Sequence, residues 1–124
     1  LTTELIMAQP RMRARTPLDP ATMVLSVLIP VYNEQDTISL ILDQVHAVPV
    51  RKEVICVNDC STDGSADILA REHAAGRIDR LITQPVNRGK GAAIRAALAA
   101  STGDVVIVQD ADLEYDPADW PVLL

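Results

Sequence analysis

From residue 23 onward, short apolar runs alternate with longer stretches of helical spacing. "MVLSVLIP" (23–30), "KEVICVND" (52–59) and "DVVIVQD" (104–110) are rich in β-branched residues and end in proline or polar side chains. Runs this short, bounded in this way, predict strands buried on both faces. "IDRLITQ" (78–84) predicts a further, shorter strand. Between them, "EQDTISLILDQVHAV" (34–48) places Ile38, Ile41, Leu42 and Val45 on one helical face. "DGSADILAREHAA" (63–75) predicts a helix stopped by Gly76, and "KGAAIRAALAAS" (90–101) an alanine-rich helix closed by Gly103. "PADWPVLL" (117–124) reads as the opening of another helix, with Pro117 near its first turn and Trp120 as a packing residue. Strand and helix in strict alternation imply right-handed βαβ crossovers. The predicted class is α/β, a mainly parallel sheet with helices on both faces.

Residues 1–22 carry no period and include Pro10, Pro17 and Pro20. They predict a disordered N-terminal tail ahead of one domain at 23–124. Arg11, Arg13 and Arg15 in that tail offer a basic contact to an anionic membrane surface, although three arginines make a weak anchor.

Composition narrows the function classes. The chain has 124 residues, enough for one modest core, and no Phe, so that core must come from Val, Ile, Leu and Ala. A formal net charge of -6 argues against nucleic acid as a partner, which would call for a basic face. A nucleotide ligand stays open, because a metal can bridge acid to phosphate. Cys56 and Cys60 are too few for a disulfide framework, and a lone C-x3-C is a poor zinc signature, so both read as reduced thiols. No apolar stretch approaches the roughly 20 residues of a membrane span, and Leu1–Arg15 lacks the apolar region of a signal peptide. The expected location is cytoplasmic.

Ligands of open α/β sheets bind beyond the carboxyl ends of the strands. Four polar clusters fall there: "PVYNE" (30–34), "NDCSTDGS" (58–65), "PVNRGKGA" (85–92) and "DADLE" (110–114). In the last, an extended backbone would put Asp110, Asp112 and Glu114 on one side and Ala111 and Leu113 on the other. That oxygen-rich arrangement suits Mg2+ or Mn2+, which take a carboxylate or two plus substrate phosphates. A bare D-x-D is a weak signal, and its place after a buried strand strengthens it. Asp59, at a strand end, can accept from the N–H edge of a nucleobase. Asn58, Ser61 and Thr62 suit turn chemistry, and Asp63 an N-cap. In "PVNRGKGA" two glycines allow close backbone approach, and Arg88 and Lys90 near a helix start can meet phosphate. The spacing matches neither a P-loop nor a dinucleotide fingerprint. Glu34 has a plainer reading as a first-turn helix acid. His46 and His73 read as surface residues.

"VLIPVYNEQDTI", "VNDCSTDGS", "NRGKGAAIRAAL" and "VQDADLEYDP" come in the order and approximate spacing of family 2 glycosyltransferases. The chain resembles the N-terminal part of that family, over residues 24 to 124. Within it, the chain is most similar to polyprenyl- or dolichyl-phosphate sugar synthases of the dolichol-phosphate mannosyltransferase type. The resemblance implies a Rossmann-like GT-A half that binds a nucleotide-sugar. It implies Pro30, Tyr32 and Glu34 along the base and ribose, and Asp59 reading the base. Asp110 and Asp112 would flank the divalent metal, Mg2+ or Mn2+, and the donor diphosphate, with Asp112 preferred as direct ligand and Glu114 as a further one. Lys90 would lie near the donor. Asn58 and Cys60 depart from the family's usual Asp and Gly, which bears on loop geometry. The implied reaction is inverting transfer from a GDP-mannose or UDP-glucose type of donor to a lipid phosphate at a membrane surface. The acceptor site and any catalytic base would lie beyond residue 124, so this piece alone is expected to be inactive. An unfinished sheet edge would favour self-association.

Two other classes fit the motif positions less well. Sugar-phosphate nucleotidyltransferases carry their glycine-rich basic loop after the first strand, where "PVYNE" stands here. A non-catalytic receiver-like module would leave the D-x-D and the glycine-rich segment without a role.

Overall fold

The computed structural model describes residues 4–7, 19, 22–113 and 116–119. Its strands are β1 (Glu4–Met7), β2 (Leu25–Val31), β3 (Lys52–Asn58), β4 (Arg80–Thr83) and β5 (Val105–Val108). Its helices are α1 (Ile38–Ala47), α2 (Ser65–Ala74) and α3 (Lys90–Ala100). The sheet order is β1-β5-β2-β3-β4, parallel throughout except where β1 pairs antiparallel with β5. The predicted α/β class, the four parallel strands and the three helices all stand.

β2 lies between β3 and β5, and both of its faces are buried. On one face Val27, Ile29 and Val31 join Val54, Cys56 and Ile107 beneath α1, whose Ile38, Ile41, Leu42 and Val45 are all fully buried. Leu69 of α2 completes that layer. On the other face Leu28, Ile55, Val57, Val106 and Val108 meet Ala93 and Ala97 of α3. The i, i+4 alanines form a flat stripe that lets α3 lie close on the sheet. Burying each of the large aliphatics contributes about 1.5–3 kcal/mol. This division of helices sets the site. β2, β3 and β4 step one way across the sheet, and β5 then returns to the other side of β2. The order reverses between β2 and β5, the crevice where open α/β sheets take ligands.

Three expectations change. The disordered tail is corrected at Glu4–Met7, which forms β1. The N–H and C=O groups along the outer edge of β5 are a template that any extended backbone can pair with, and four residues are too few to show a period. That sheet edge is therefore closed within the chain; Arg11, Arg13 and Arg15 lie outside the described residues. α1 begins at Ile38 instead of residue 34, because the preceding turn is used in loop-to-loop bonds described below. Of the helix expected from residue 117, Pro117–Asp119 form a single 3-10 turn; the rest, with Trp120, lies outside the described residues.

The end of the sheet opposite the strand carboxyl ends is tied by Glu53. Its carboxylate accepts from Ser26 Oγ (2.7 Å), Thr102 N (2.7 Å) and Thr102 Oγ1 (2.8 Å), with Arg80 Nε at 3.7 Å. Partial burial opposes ionisation, yet these hydrogen bonds and the Arg80 charge outweigh it and hold the carboxyl below its ordinary value. Its stabilising contribution is therefore complete above the unfolded value of about 4.3 and fades as pH falls through the lower folded value. Glu53→Gln should melt below the wild type at pH 7, with the gap closing below about pH 4. Melting curves from pH 7 to 3 test this; a constant gap would mean that the charge plays no part.

His46 and His73 are exposed and hydrogen-bond to the carbonyls of Arg77 and Ile78. Cys56 is buried in β3, where burial pushes its thiol well above the ordinary range and leaves it inert. Among the described residues no helix is long and apolar enough to cross a membrane.

Candidate functional site

At the carboxyl ends of β2, β3 and β5 lies an open cleft of about 180 Å³. Pro30, Tyr32, Glu34, Asp59, Lys90, Asp110 and Asp112 all line it. Every described residue that the resemblance assigned to nucleotide or metal binding thus reaches one place, whereas Arg88, the other cation expected to meet phosphate, is exposed and does not line the cleft. Glu114 lies outside the described residues.

Two loops build the base of the cleft by interlocking. Asn33, with φ 51, turns its side-chain oxygen to accept from Thr62 N (2.8 Å) and Asp63 N (3.3 Å). Asn tolerates this left-handed conformation better than most residues. Asn33 N donates to Ser61 Oγ, Glu34 N to Ser65 Oγ and Gln35 N to Asp63 Oδ2, while Gln35 Oε1 accepts from Gly64 N (2.7 Å). Asp63 also accepts from Ser65 N (2.8 Å), the first residue of α2, but the N-cap position expected of Asp63 is held by Gly64. Against the cost of burial, the bonds from Ser65 and Gln35 hold its carboxyl below the ordinary range. Asn33 and Gln35 are builders of this site that the sequence reading passed over; the dense polar run "YNEQD" after a buried strand is the signal for them. Glu34 stands four residues before α1 and lines the cleft, so it is not a first-turn helix acid.

The acids after β5 do not alternate along an extended strand as expected. Residues 111 and 112 form a turn, and Leu113 has φ 66. Ala111 is buried, and its carbonyl accepts from Thr37 Oγ1 at 2.6 Å. That bond and the buried methyl draw the backbone inward, so Asp110 is 6% exposed and Asp112 is exposed. The side chain of Lys90 bonds to Asp110 Oδ1. Among the described residues no group of three or more His, Cys, Asp or Glu is gathered as a metal cage. Asp110 and Asp112, two of the four carboxylates that line the cleft, still fit Mg2+ or Mn2+, hard cations that complete their shell with water and substrate phosphate.

Asp59 stands one residue past β3. Its carboxylate oxygens accept from Arg88 N and Gly89 N, each at 2.8 Å. Gly89 has φ 90, a conformation open to glycine and strained for other residues, and it leads straight into α3. Cys60, also at positive φ, places its Sγ 3.6 Å from the carbonyl of Pro85.

Residues 26–124 match the model for "Glycosyl transferase family 2". The chain belongs to this family. Among curated members, it is 41% identical over 105 residues to an undecaprenyl-phosphate 4-deoxy-4-formamido-L-arabinose transferase of Edwardsiella ictaluri, covering 80% of this chain and 32% of that one. It is 34% identical over 106 residues to a dolichyl-phosphate beta-glucosyltransferase of Trichomonas vaginalis, covering 78% and 32%. The chain thus spans about a third of the length of the curated relatives it matches. Among solved structures, a mannosyltransferase from Pyrobaculum calidifontis in complex with GDP-Man and Mn2+ superposes with TM-score 0.65 at 28% identity, covering 82% of this chain and 32% of that chain. Glucosyl-3-phosphoglycerate synthase from Mycobacterium tuberculosis, in complex with Mn2+, UDP and glucosyl-3-phosphoglycerate, gives TM-score 0.63 at 31% identity, covering 81% and 38%. The GT-A type of α/β fold expected from the motifs is therefore borne out, and these two similar solved structures carry Mn2+.

Proposed function

We propose that this chain forms the nucleotide-sugar-binding part of a glycosyltransferase that uses a divalent cation, Mg2+ or Mn2+, and passes a sugar to a polyprenyl or dolichyl phosphate. The observation that carries this is the single cleft at the β2/β5 crevice, where Asp110, Asp112 and Lys90 stand beside Pro30, Tyr32 and Glu34. Tyr32 lines the cleft and is 46% exposed, so its ring would be free to cover a base or ribose. Asp110 and Asp112 would hold the cation, and Lys90 adds a positive charge beside them, so the diphosphate of a GDP-mannose or UDP-glucose type of donor meets compensating charge. When bound, the ion supplies Lewis-acid stabilisation of the departing diphosphate. Glu114 is a further ligand in this proposal.

Relatives named for undecaprenyl and dolichyl phosphate support a lipid-phosphate acceptor, reached at the cytoplasmic face of a membrane. Such an acceptor is ionised at neutral pH and attacks C1 from the side opposite the leaving group, inverting it, with little need for a strong base. The self-association expected of an unfinished sheet edge has no support from the similar proteins.

Calorimetric titration with UDP and with GDP, each with and without Mn2+, tests the donor site. Metal-dependent binding of one nucleotide is expected and would identify the base. Binding of neither, by the folded chain and by a form extended to the length of its relatives, would overturn the proposal.

A further inference from the structure

α1 opens without the side-chain cap its sequence provides. Thr37 holds the N-cap position, where a threonine hydroxyl ordinarily accepts from an N–H of the first helical turn. Here the side chain makes no such bond. Its Oγ1 instead donates to the carbonyl of Ala111 at 2.6 Å, 74 positions away in sequence, and lies 3.0 Å from Glu34 Oε2. A hydroxyl has one proton to give, and the shorter distance assigns it to Ala111.

Ala111 stands between two acids of the cleft, Asp110 and Asp112, and is 3% exposed. Leu113, on the far side of Asp112, has φ 66, a left-handed conformation that a bulky side chain rarely adopts. Such backbone persists only where its surroundings over-determine it. Asp112 thus sits in a turn that is strained on one side and tied on the other. The usual rule of helix capping is given up at the point where that tie is made, and local rules are broken mostly where a site requires it.

We infer that Thr37 is a positioning residue for the cation and the donor diphosphate: its hydroxyl fixes the carbonyl of Ala111, and with it the spacing of Asp110 and Asp112, in place of capping α1. This rests on the donor-site reading above. Two carboxylates share one ion only if their oxygens fit a single shell, about 2.0–2.1 Å from the metal for Mg2+. A turn free to relax at Leu113 would carry Asp112 away from Asp110. Thr37 acts on the acids through the main chain between them.

Thr37→Val removes the hydroxyl and keeps the shape, whereas Thr37→Ser keeps the hydroxyl. Ile38→Val, at the fully buried first residue of α1, loosens the helix start and leaves that hydroxyl in place. Affinities for Mn2+ with pyrophosphate, with UDP and with GDP would be measured by calorimetry, beside melting temperatures. Residues that orient a metal's ligands are worth about 10–100-fold in affinity, so Thr37→Val should weaken all three probes by about ten-fold, with Thr37→Ser and Ile38→Val within about two-fold of the wild type. Thr37→Ala carries the test if Thr37→Val fails to melt cooperatively. Unchanged pyrophosphate affinity without the hydroxyl would overturn the inference; a loss confined to UDP and GDP would route Thr37 through Glu34 to the nucleoside and leave the donor site in place. An equal loss in Ile38→Val would overturn it by tracing the effect to the helix start in general, and an equal loss in Thr37→Ser by showing that the hydroxyl is not what matters. A folded wild type that binds none of the three, as this chain and at the length of its relatives, would remove the donor-site reading, and this inference with it.

Discussion

Asp112→Ala should abolish Mn2+-dependent nucleotide binding while leaving the melting temperature within a degree or so of the wild type, as surface substitutions usually do. Asp112 is exposed in the turn after β5, so shortening it removes no core contact. With Asp110 it is one of the two carboxylates proposed to hold the metal, in a cleft that Glu34 and Asp59 also line. Partners of a metal's ligands are themselves worth about 10–100-fold in affinity, so losing a direct carboxylate should cost about 100-fold or more. Calorimetric titration with UDP or GDP in Mn2+ measures it. Unchanged affinity would take Asp112 out of the metal set and leave Asp110 and Lys90 to meet the diphosphate. Asp110→Ala is the less clean probe, because the residue is buried and bonded to Lys90.

Gly103→Ala is expected to have the largest effect on stability. A Cβ there would lie 2.5 Å from Ser26 Oγ, 2.7 Å from Val24 O and 2.9 Å from Ser26 N. Two of those atoms are backbone of the β2 region and cannot swing aside. Gly103 N also donates to Ser26 Oγ (2.9 Å), which donates in turn to Glu53. The methyl group therefore pushes α3's exit from the sheet and breaks into a buried relay. Overpacking costs about 1–3 kcal/mol, and a compromised buried hydrogen bond adds about 1 kcal/mol. A domain of this size should lose roughly 10 °C in melting temperature. Thermal unfolding followed by circular dichroism checks this, and a drop under about 2 °C would mean that the backbone relaxes at little cost. Nucleotide affinity well below the transition should not change, because Ser26 lies at the opposite end of β2 from the cleft.

What could be read along the chain was whatever short-range pattern specifies. Apolar runs of strand length, helical faces such as Ile38, Ile41, Leu42 and Val45, and the punctuation by Pro30 and Gly76 are local signals. The burial of β2, β3, β5 and α1 followed from them, while β4 stays part-exposed at the sheet edge. The placing of four polar clusters on one sheet edge followed as well, because parallel βαβ units bring every strand's carboxyl end to the same side. The D-x-D after a buried run and the basic glycine-rich segment before an alanine-rich helix were therefore legible as one site.

Tertiary structure decided whatever depended on partners distant in sequence. Glu4–Met7 becomes a strand only because β5 presents an open edge about a hundred residues later. α1 starts late because Asn33, Glu34 and Gln35 bond to the β3–α2 loop. The acids of "DADLE" separate because Thr37, 74 residues away in sequence, holds the carbonyl of Ala111. Asp59, which lines the cleft, also ties its carboxylate to the amides of Arg88 and Gly89, about thirty residues on. The sequence by itself determined the α/β class, the strand and helix order and the edge on which chemistry gathers, since periodicity and turn chemistry act over a few residues. Only the folded chain decided which polar groups are spent on holding loops and which remain to meet a ligand, since a hydrogen bond between distant segments exists only once packing has brought them together.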